Sequence, residues 1–262
     1  MFVPIDDRSD ARLAPFRDVG NPAALQRAGL FVAEGRLVVR RLIEDGRYPV
    51  ERVLVTPAAR DALRDLFAGL AAPVVVAPQG TVNEITGFNF HRGCLALARR
   101  PSSAATLDAV SSATRLLALE GVANPDNVGG VFRTAFALGA GGVLLDATSG
   151  DPFYRKAIRT SMAATLRLPF ARATAWPEAL GTLRSSGFRL IALTPAPDAI
   201  PIDEVADTSP ARVALLLGSE GDGLSAAALA LADVRARIPV EARADSLNVV
   251  VAAGIALHAL RP

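Results

Sequence analysis

Between residues 31 and 100 the apolar positions change period several times. They recur at helical spacing across Gly35–Gly46, form a strand-like run at Arg52–Thr56, return to helical spacing over Pro57–Leu70, and end in another strand-like run at Pro73–Ala77. A short helix near Val82–Ile85 and a strand near Gly93–Ala98 follow. Arg99-Arg100-Pro101-Ser102-Ser103-Ala104-Ala105 then has linker composition, with Pro, small residues and little periodicity. The pattern predicts a smaller N-terminal α/β domain over residues 1–100, a linker over 101–112 and a second domain over 113–262.

From Arg115 onward short apolar runs alternate with helical segments: Leu116–Leu119, Val143–Asp146, Leu190–Thr194, Val213–Leu217 and Ala236–Val240. Val213-Ala214-Leu215-Leu216-Leu217 is apolar without alternation, as a strand covered by helices on both faces must be. The fold class is therefore α/β with a mostly parallel sheet, and ligands are expected in the loops at the carboxyl ends of its strands. The last predicted helix, Leu247–Leu260, is apolar almost all round, so it is expected to be buried in the core or against a second copy in a homodimer.

Composition narrows the classes. Of 262 residues, 51% are hydrophobic, yet no apolar segment reaches the length of a membrane span, and acidic residues in the first stretch argue against a signal peptide. A cytoplasmic location is expected. Cys94 is the only cysteine, which excludes an internal disulfide; with only His91 and His258 beside it, no metal site is expected. Cys94 reads as strand packing rather than a nucleophile, and Trp176 and Met162 read as core. The net charge is only +2, carried by arginine with Lys156 as the sole lysine. Arginine suits phosphate, but a GC-rich genome produces the same bias, so charge alone decides nothing.

Three loops at strand ends carry the candidate chemistry. In Glu120–Arg133, Asn124-Pro125 signals a turn, Asp126 or Asn127 can cap the helix that follows, and Gly129-Gly130 permits close backbone approach. At ~100° per residue, Arg133 stands about 600° beyond Asn127. The two therefore share a site only if Asn127 belongs to the loop. In Leu217–Ser225, three glycines within six residues make a tight turn and Ser225 is a good cap for the next helix. The spacing fits neither G-x-G-x-x-G nor a P-loop, which weakens nicotinamide and nucleoside triphosphate readings. In Ile238–Val250, Ser246 can cap the last helix, and Asn248 is a polar group in its otherwise apolar first turn that must find a partner.

Asn124-Pro125-Asp126-Asn127-Val128-Gly129 with Arg133, Gly218–Ser225, and Ile238-Pro239-Val240 with Ser246-Leu247-Asn248-Val249 resemble, in order and spacing, the three motifs of the SpoU branch of the SPOUT RNA methyltransferases. Phe31–Gly35 together with Gly87–Ala96 resembles, more loosely, the ribosomal-protein-like substrate-binding domain that often precedes that catalytic domain. The resemblance implies a C-terminal sheet closed by a trefoil knot, a homodimer with the active site built across it, and S-adenosyl-L-methionine as cofactor. It implies that Thr194, Leu217, Gly218, Ile238, Val240 and Leu247 hold the cofactor. Arg133 would stand beside the attacking ribose hydroxyl, with Asn127, Glu220, Ser246 and Asn248 holding it and the ribose. Arginine is not deprotonated in proteins, so a phosphate-holding and orienting role suits Arg133 better than that of a base.

Arg155, Lys156 and Arg159, in the segment that faces RNA in the family, are the RNA-binding candidates of the second domain; Arg36, His91 and Arg92 are those of the first. Aromatic residues make up only 5%, so recognition of a folded RNA by shape and phosphate is expected ahead of base stacking. The implied activity is methylation of a ribose 2′-hydroxyl, in ribosomal RNA ahead of transfer RNA. The alternatives left open are a methyltransferase acting on a base or on protein, a non-catalytic RNA-binding or ribosome-assembly protein, and a small-molecule α/β enzyme with an open sheet.

Overall fold

The structure is a computed structural model that describes residues 2–5, 7–17, 19–87, 92–102, 106–206, 212–241, 243 and 246–261. The chain divides into two compact units, Met1–Ser103 with Phe153–Leu166, and Ala104–Pro152 with Arg167–Pro262. The first division falls between Ser103 and Ala104. The membership of Phe153–Leu166 differs from the expected contiguous second domain, and it has a packing cause. Phe153 is buried with its ring 5.1 Å from Phe31 and 5.5 Å from Tyr48, under the guanidinium of Arg100, so its apolar surface is satisfied in the first unit.

The first unit holds strands β1 (Phe2–Pro4), β2 (Leu30–Glu34), β3 (Val50–Val55), β4 (Val74–Val76) and β5 (Cys94–Arg99), ordered β1-β4-β3-β5-β2. β5 runs antiparallel to β2 and β3, while β4 is parallel to β1 and β3. Val50–Val55 and Cys94–Arg99 lie close to the expected runs. β1, β2 and the Ala11–Phe16 turn of 3-10 helix were not expected, although Leu13 and Phe16 are completely buried in the core of this unit. Helix Arg36–Asp45 is bounded by Gly35 at φ +99° and Gly46 at φ +61°, backbone states that favour glycine. The expected helix Pro57–Leu70 is two pieces, Pro57–Ala62 and Arg64–Phe67, broken at Leu63. Cys94 is fully buried, and burial pushes its thiol up to about 12, which agrees with a packing role.

The second unit carries a seven-stranded sheet: β6 (Arg115–Leu119), β7 (Gly142–Leu145), β8 (Phe170–Arg172), β9 (Arg189–Leu193), β10 (Ile200–Pro201), β11 (Val213–Leu217) and β12 (Val234–Arg237). The order is β10-β12-β9-β11-β6-β7-β8 and every pairing is parallel. All five residues of β11 are buried, as its unbroken apolar run requires; each fully buried aliphatic side chain contributes about 1.5–3 kcal/mol. β12 ends at Arg237 rather than Val240, because Pro239 has no N–H to donate to a ladder. Trp176 and Met162, expected in the core, are half-buried.

Helix Pro125–Ala137 packs against helix Val249–Ala259 through small residues. A Cβ on Gly130 would fall 2.6 Å from Val250 Cγ2, and one on Gly254 would touch Thr134. The last helix is shorter than expected. Asn248, not Ser246, is its N-cap, with its side chain accepting from Val250 N at 2.9 Å. Its all-round apolarity leaves Val251 and Ile255 exposed at 49% and 39%, alongside Phe136 at 42%.

Candidate active site

Because β12, β9, β11 and β6 are parallel neighbours, their carboxyl ends share one edge, where a cleft of about 470 Å³ opens. Leu193, Thr194 and Pro195 line it from β9, Leu217 to Leu224 from β11, Ile238 and Val240 from β12, and Ser246, Leu247, Val249 and Ala252 from the last loop and helix. All six expected cofactor-holding positions, Thr194, Leu217, Gly218, Ile238, Val240 and Leu247, thus surround one cavity.

The turn after β11 is folded back on itself. Ser219 and Gly223 form an antiparallel bridge, Gly223 N donates to Ser219 O at 3.1 Å, and Asp222 N donates to Ser219 Oγ at 3.2 Å. A Cβ on Gly218 would lie 2.1 Å from the Gly223 carbonyl carbon and 2.4 Å from Leu224 N, so only glycine fits. Ser225 caps helix Ala226–Leu231 as expected, accepting from Ala228 N at 3.1 Å. Its own N–H donates to Glu120 Oε2 at 3.0 Å, which ties this turn to the loop after β6.

In that first loop the cap is Asn124, whose side chain accepts from Asp126 N at 2.9 Å; Asp126 and Asn127 lie inside helix Pro125–Ala137. Proline at the first helical position was the signal for this, since it marks the residue before it as the cap. Asn127 is buried, at 8% exposure, and donates through Nδ2 to Glu220 Oε1 in a short hydrogen bond. Asn248 Nδ2 donates to Asn127 Oδ1 at 3.1 Å and to Glu220 Oε1 at 3.4 Å. With Asn248 Oδ1 committed to its cap, both amides have one consistent orientation, and the chain of donors ends on the Glu220 carboxylate. Glu220 is exposed, and among the described residues its Oε2 has no hydrogen-bond partner. Ser246 is exposed on the wall of the same cleft.

Arg133 does not join this cluster. Asn127 lies in the helix and not in the loop, so the arginine projects from another face, exposed, on the side of Phe136 and Ala137, and makes no hydrogen bond or ion pair among the described residues. The RNA-binding candidates are spread. Arg155 is not free for a phosphate: within the first unit its Nη1 is 2.7 Å from buried Glu34 Oε2, and Arg159 is 3.6 Å from the same oxygen. Lys156 is half-buried, Arg36 and Arg92 are exposed on either side of Gly35, and His91 lies outside the described residues. Many other arginines of the first unit are tied to carboxylates, as in Arg8–Glu84, Arg12–Asp10, Arg40–Asp65 and Arg99–Glu51. Among the described residues no group of three or more metal-ligating side chains is assembled, and no helix is long and apolar enough to cross a membrane.

Residues 114–258 match the model of the SpoU rRNA methylase family. A Mycobacterium tuberculosis protein named as an uncharacterized tRNA/rRNA methyltransferase is 40% identical over 257 residues, covering 96% of this chain and 89% of the relative. The AdoMet-bound rRNA methyltransferase of Sinorhizobium meliloti superposes with a TM-score of 0.84 at 25% identity, over 99% of this chain and 97% of that one. A solved RNA 2′-O ribose methyltransferase superposes with a TM-score of 0.79 at 26% identity, over 98% of both chains. With the second and third motif loops lining one cleft, the first joined to them through Asn127, and these relationships spanning nearly its whole length, the chain belongs to the SpoU rRNA methylase family.

Proposed function

We propose that this protein transfers a methyl group from S-adenosyl-L-methionine to a ribose 2′-hydroxyl of RNA, ribosomal RNA ahead of transfer RNA. The observation that carries the reading is the Asn127–Glu220–Asn248 cluster beside a cleft whose wall admits no side chain at Gly218. The residues fit the cofactor: the cavity is of the size that encloses a small-molecule ligand, and backbone at Leu217, Gly218, Ile238 and Leu247, with Thr194 and Val240, would hold it. When bound, it supplies an electrophilic methyl group. The related S. meliloti enzyme with AdoMet bound supports this assignment, and the related 2′-O ribose methyltransferase supports ribose over base.

The chain's own residues then orient the acceptor. Glu220 Oε2 accepts a hydrogen bond from a ribose hydroxyl, Asn127 and Asn248 fix the carboxylate's rotamer, and Ser246 closes the ribose from the cleft wall. Holding the 2′-oxygen in line with the methyl carbon supplies much of the acceleration, since well-oriented pairs reach effective molarities of about 10⁵–10⁸ M. Arg133, turned away from its own cluster, acts on an RNA phosphate and on the hydroxyl bound by a second copy. The exposed Phe136, Val251 and Ile255 form the apolar surface on which that copy docks. The loops after β11 and β12 would cross as the trefoil knot of this family, and Arg36, Arg92 and Lys156 would meet RNA phosphates.

The test is incubation with radiolabelled S-adenosyl-L-methionine and total RNA from cells lacking the gene, followed by nucleoside identification. A labelled 2′-O-methylnucleoside, lost with Arg133→Ala, is the expected result. Label on a base would overturn the ribose assignment, and tight RNA binding without label would favour a non-catalytic RNA-binding or ribosome-assembly role.

A further inference from the structure

Beside the loop that leads to Asn124 and Asn127 lies a second polar cluster, none of which lines the cleft. Asp146, just past β7, is 6% exposed. Its carboxylate accepts from Ser149 N at 2.8 Å, from Thr148 Oγ1 at 2.5 Å, and from the Gly121 backbone. Burial works against its charge, but these donors outweigh it and hold the carboxyl below the usual aspartate range. Ser149, also buried, accepts from Val122 N at 3.2 Å and donates to Leu119 O at 3.3 Å. Gly150 N donates to Val122 O at 2.9 Å, and a Cβ on Gly150 would fall 2.7 Å from Ala123 O. Residues 146–150 are thus bonded along the backbone of residues 119–123.

Arg172, at the end of β8, closes this loop from the other side. Its Nη1 donates to Asp146 O at 2.6 Å and Ser149 O at 2.8 Å, and its Nη2 to Gly150 O at 2.9 Å. Three carbonyls converge on one planar cation. Without it they would be part-buried acceptors that lose this donor, and an ammonium cannot span them with the same fork.

We propose that Arg172 is a positioning residue for methyl transfer: it fixes the 146–150 loop, whose Asp146, Ser149 and Gly150 hold the Gly121–Ala123 backbone and so set where Asn127 meets Glu220. The proposal rests on the methyl-transfer reading above for its consequence, but not for its geometry. Asn124 caps the helix directly after this braced stretch and Asn127 follows three residues on, so a shift of the brace moves the Asn127 amide and leaves the β9 and β12 walls of the cleft in place.

Arg172→Ala and Arg172→Lys are compared with the wild type in the full chain, by hydrogen-exchange mass spectrometry and by methyl-transfer kinetics, alone and combined with Asn127→Ala. Exchange at residues 119–127 and 146–150 should rise in Arg172→Ala and less in Arg172→Lys, while β12 and the cleft-lining end of β9 keep their wild-type protection. A displacement of the order of 1 Å lowers kcat by about 10- to 100-fold. KM for S-adenosyl-L-methionine should stay within about twofold, and once Asn127 is already alanine, Arg172→Ala should lower kcat by less than about threefold more. Unchanged exchange at residues 119–127 overturns the proposal, as does an undiminished kcat loss in the Asn127→Ala background. Should Arg172→Ala not fold, the same two criteria apply to Arg172→Lys. A wild type that methylates no RNA overturns the proposed activity instead, and the exchange data then decide the brace by themselves.

Discussion

Replacing Gly218 by alanine tests whether the turn after β11 is rigid. The new methyl would stand 2.1 Å from the Gly223 carbonyl carbon, 2.3 Å from its oxygen and 2.4 Å from Leu224 N. Ordinary contacts begin at about 3.5 Å, so the facing backbone must retreat by more than about 1 Å. All three atoms are backbone, and the facing strand of the turn is pinned by the Ser219–Gly223 bridge. Overpacking of this kind costs about 1–3 kcal/mol, and loss of the bridging hydrogen bond about 1 kcal/mol more. At about 2–4 °C per kcal/mol for a chain of this size, Tm should fall by roughly 4–16 °C. Calorimetric titration should show S-adenosyl-L-methionine affinity down at least about tenfold, the equivalent of 1.4 kcal/mol. Gly221 is the internal control. It lies in the same turn with open space around its Cβ position, so Gly221→Ala should leave Tm near that of the wild type. Equal Tm values for the two variants would refute the claim that close approach at Gly218 holds the turn.

Gly130→Ala should destabilise by about 1–3 kcal/mol despite alanine's better helix propensity, because its methyl meets Val250 at 2.6 Å; Val250→Ala should recover part of that loss in a double-mutant cycle, and additivity would sink the clash. Glu34→Ala should cost about 1–3 kcal/mol in denaturant unfolding, since it removes the buried carboxylate on which Arg155 and Arg159 converge; a loss under about 0.5 kcal/mol would make the pair a mere surface contact. Asp146 has a folded pKa below its unfolded value, so its contribution is present above the unfolded pKa of about 3.9 and is lost as pH falls through the folded one. Thermal scans from pH 6 down to pH 3 should therefore find Asp146→Asn destabilised at pH 6 and less acid-sensitive than wild type; an identical pH slope would count against the shift.

The parts of the fold that were legible had a strong local signal. β11 was readable to the residue because five apolar side chains in a row between Arg212 and Gly218 leave little choice but a two-sided strand. The cleft followed from it, since turns at the carboxyl ends of parallel strands share one edge. Leu13 and Phe16 were not readable: they are core residues on a six-residue 3-10 helix, too short for any period to show. Ile238-Pro239-Val240 misled in the opposite direction, as apolar residues that line a cleft instead of extending β12. The membership of Phe153–Leu166 depends on Phe31 and Tyr48, more than a hundred residues earlier, and no window along the chain contains that information. Helical arithmetic did anticipate that Arg133 and Asn127 part company once Asn127 enters the helix. The Arg172 fork was invisible, because its partners are backbone carbonyls without a side-chain signature.

The bed that β2 and Tyr48 make for Phe153–Leu166 also sets an order of events during synthesis. The first unit holds most of its residues by Ser103, yet the segment that covers Phe31 and neutralises Glu34 emerges only after β6 and β7 have been made. An N-terminal domain ordinarily completes its fold while the rest is still being translated. Here the nascent first unit must wait with an aromatic surface and a buried carboxylate unanswered, and the growing second unit is threaded through that wait. A ribosome stalled before residue 153 would therefore display an incompletely closed first unit, and grafting residues 1–103 alone onto another catalytic domain would carry the same gap with it.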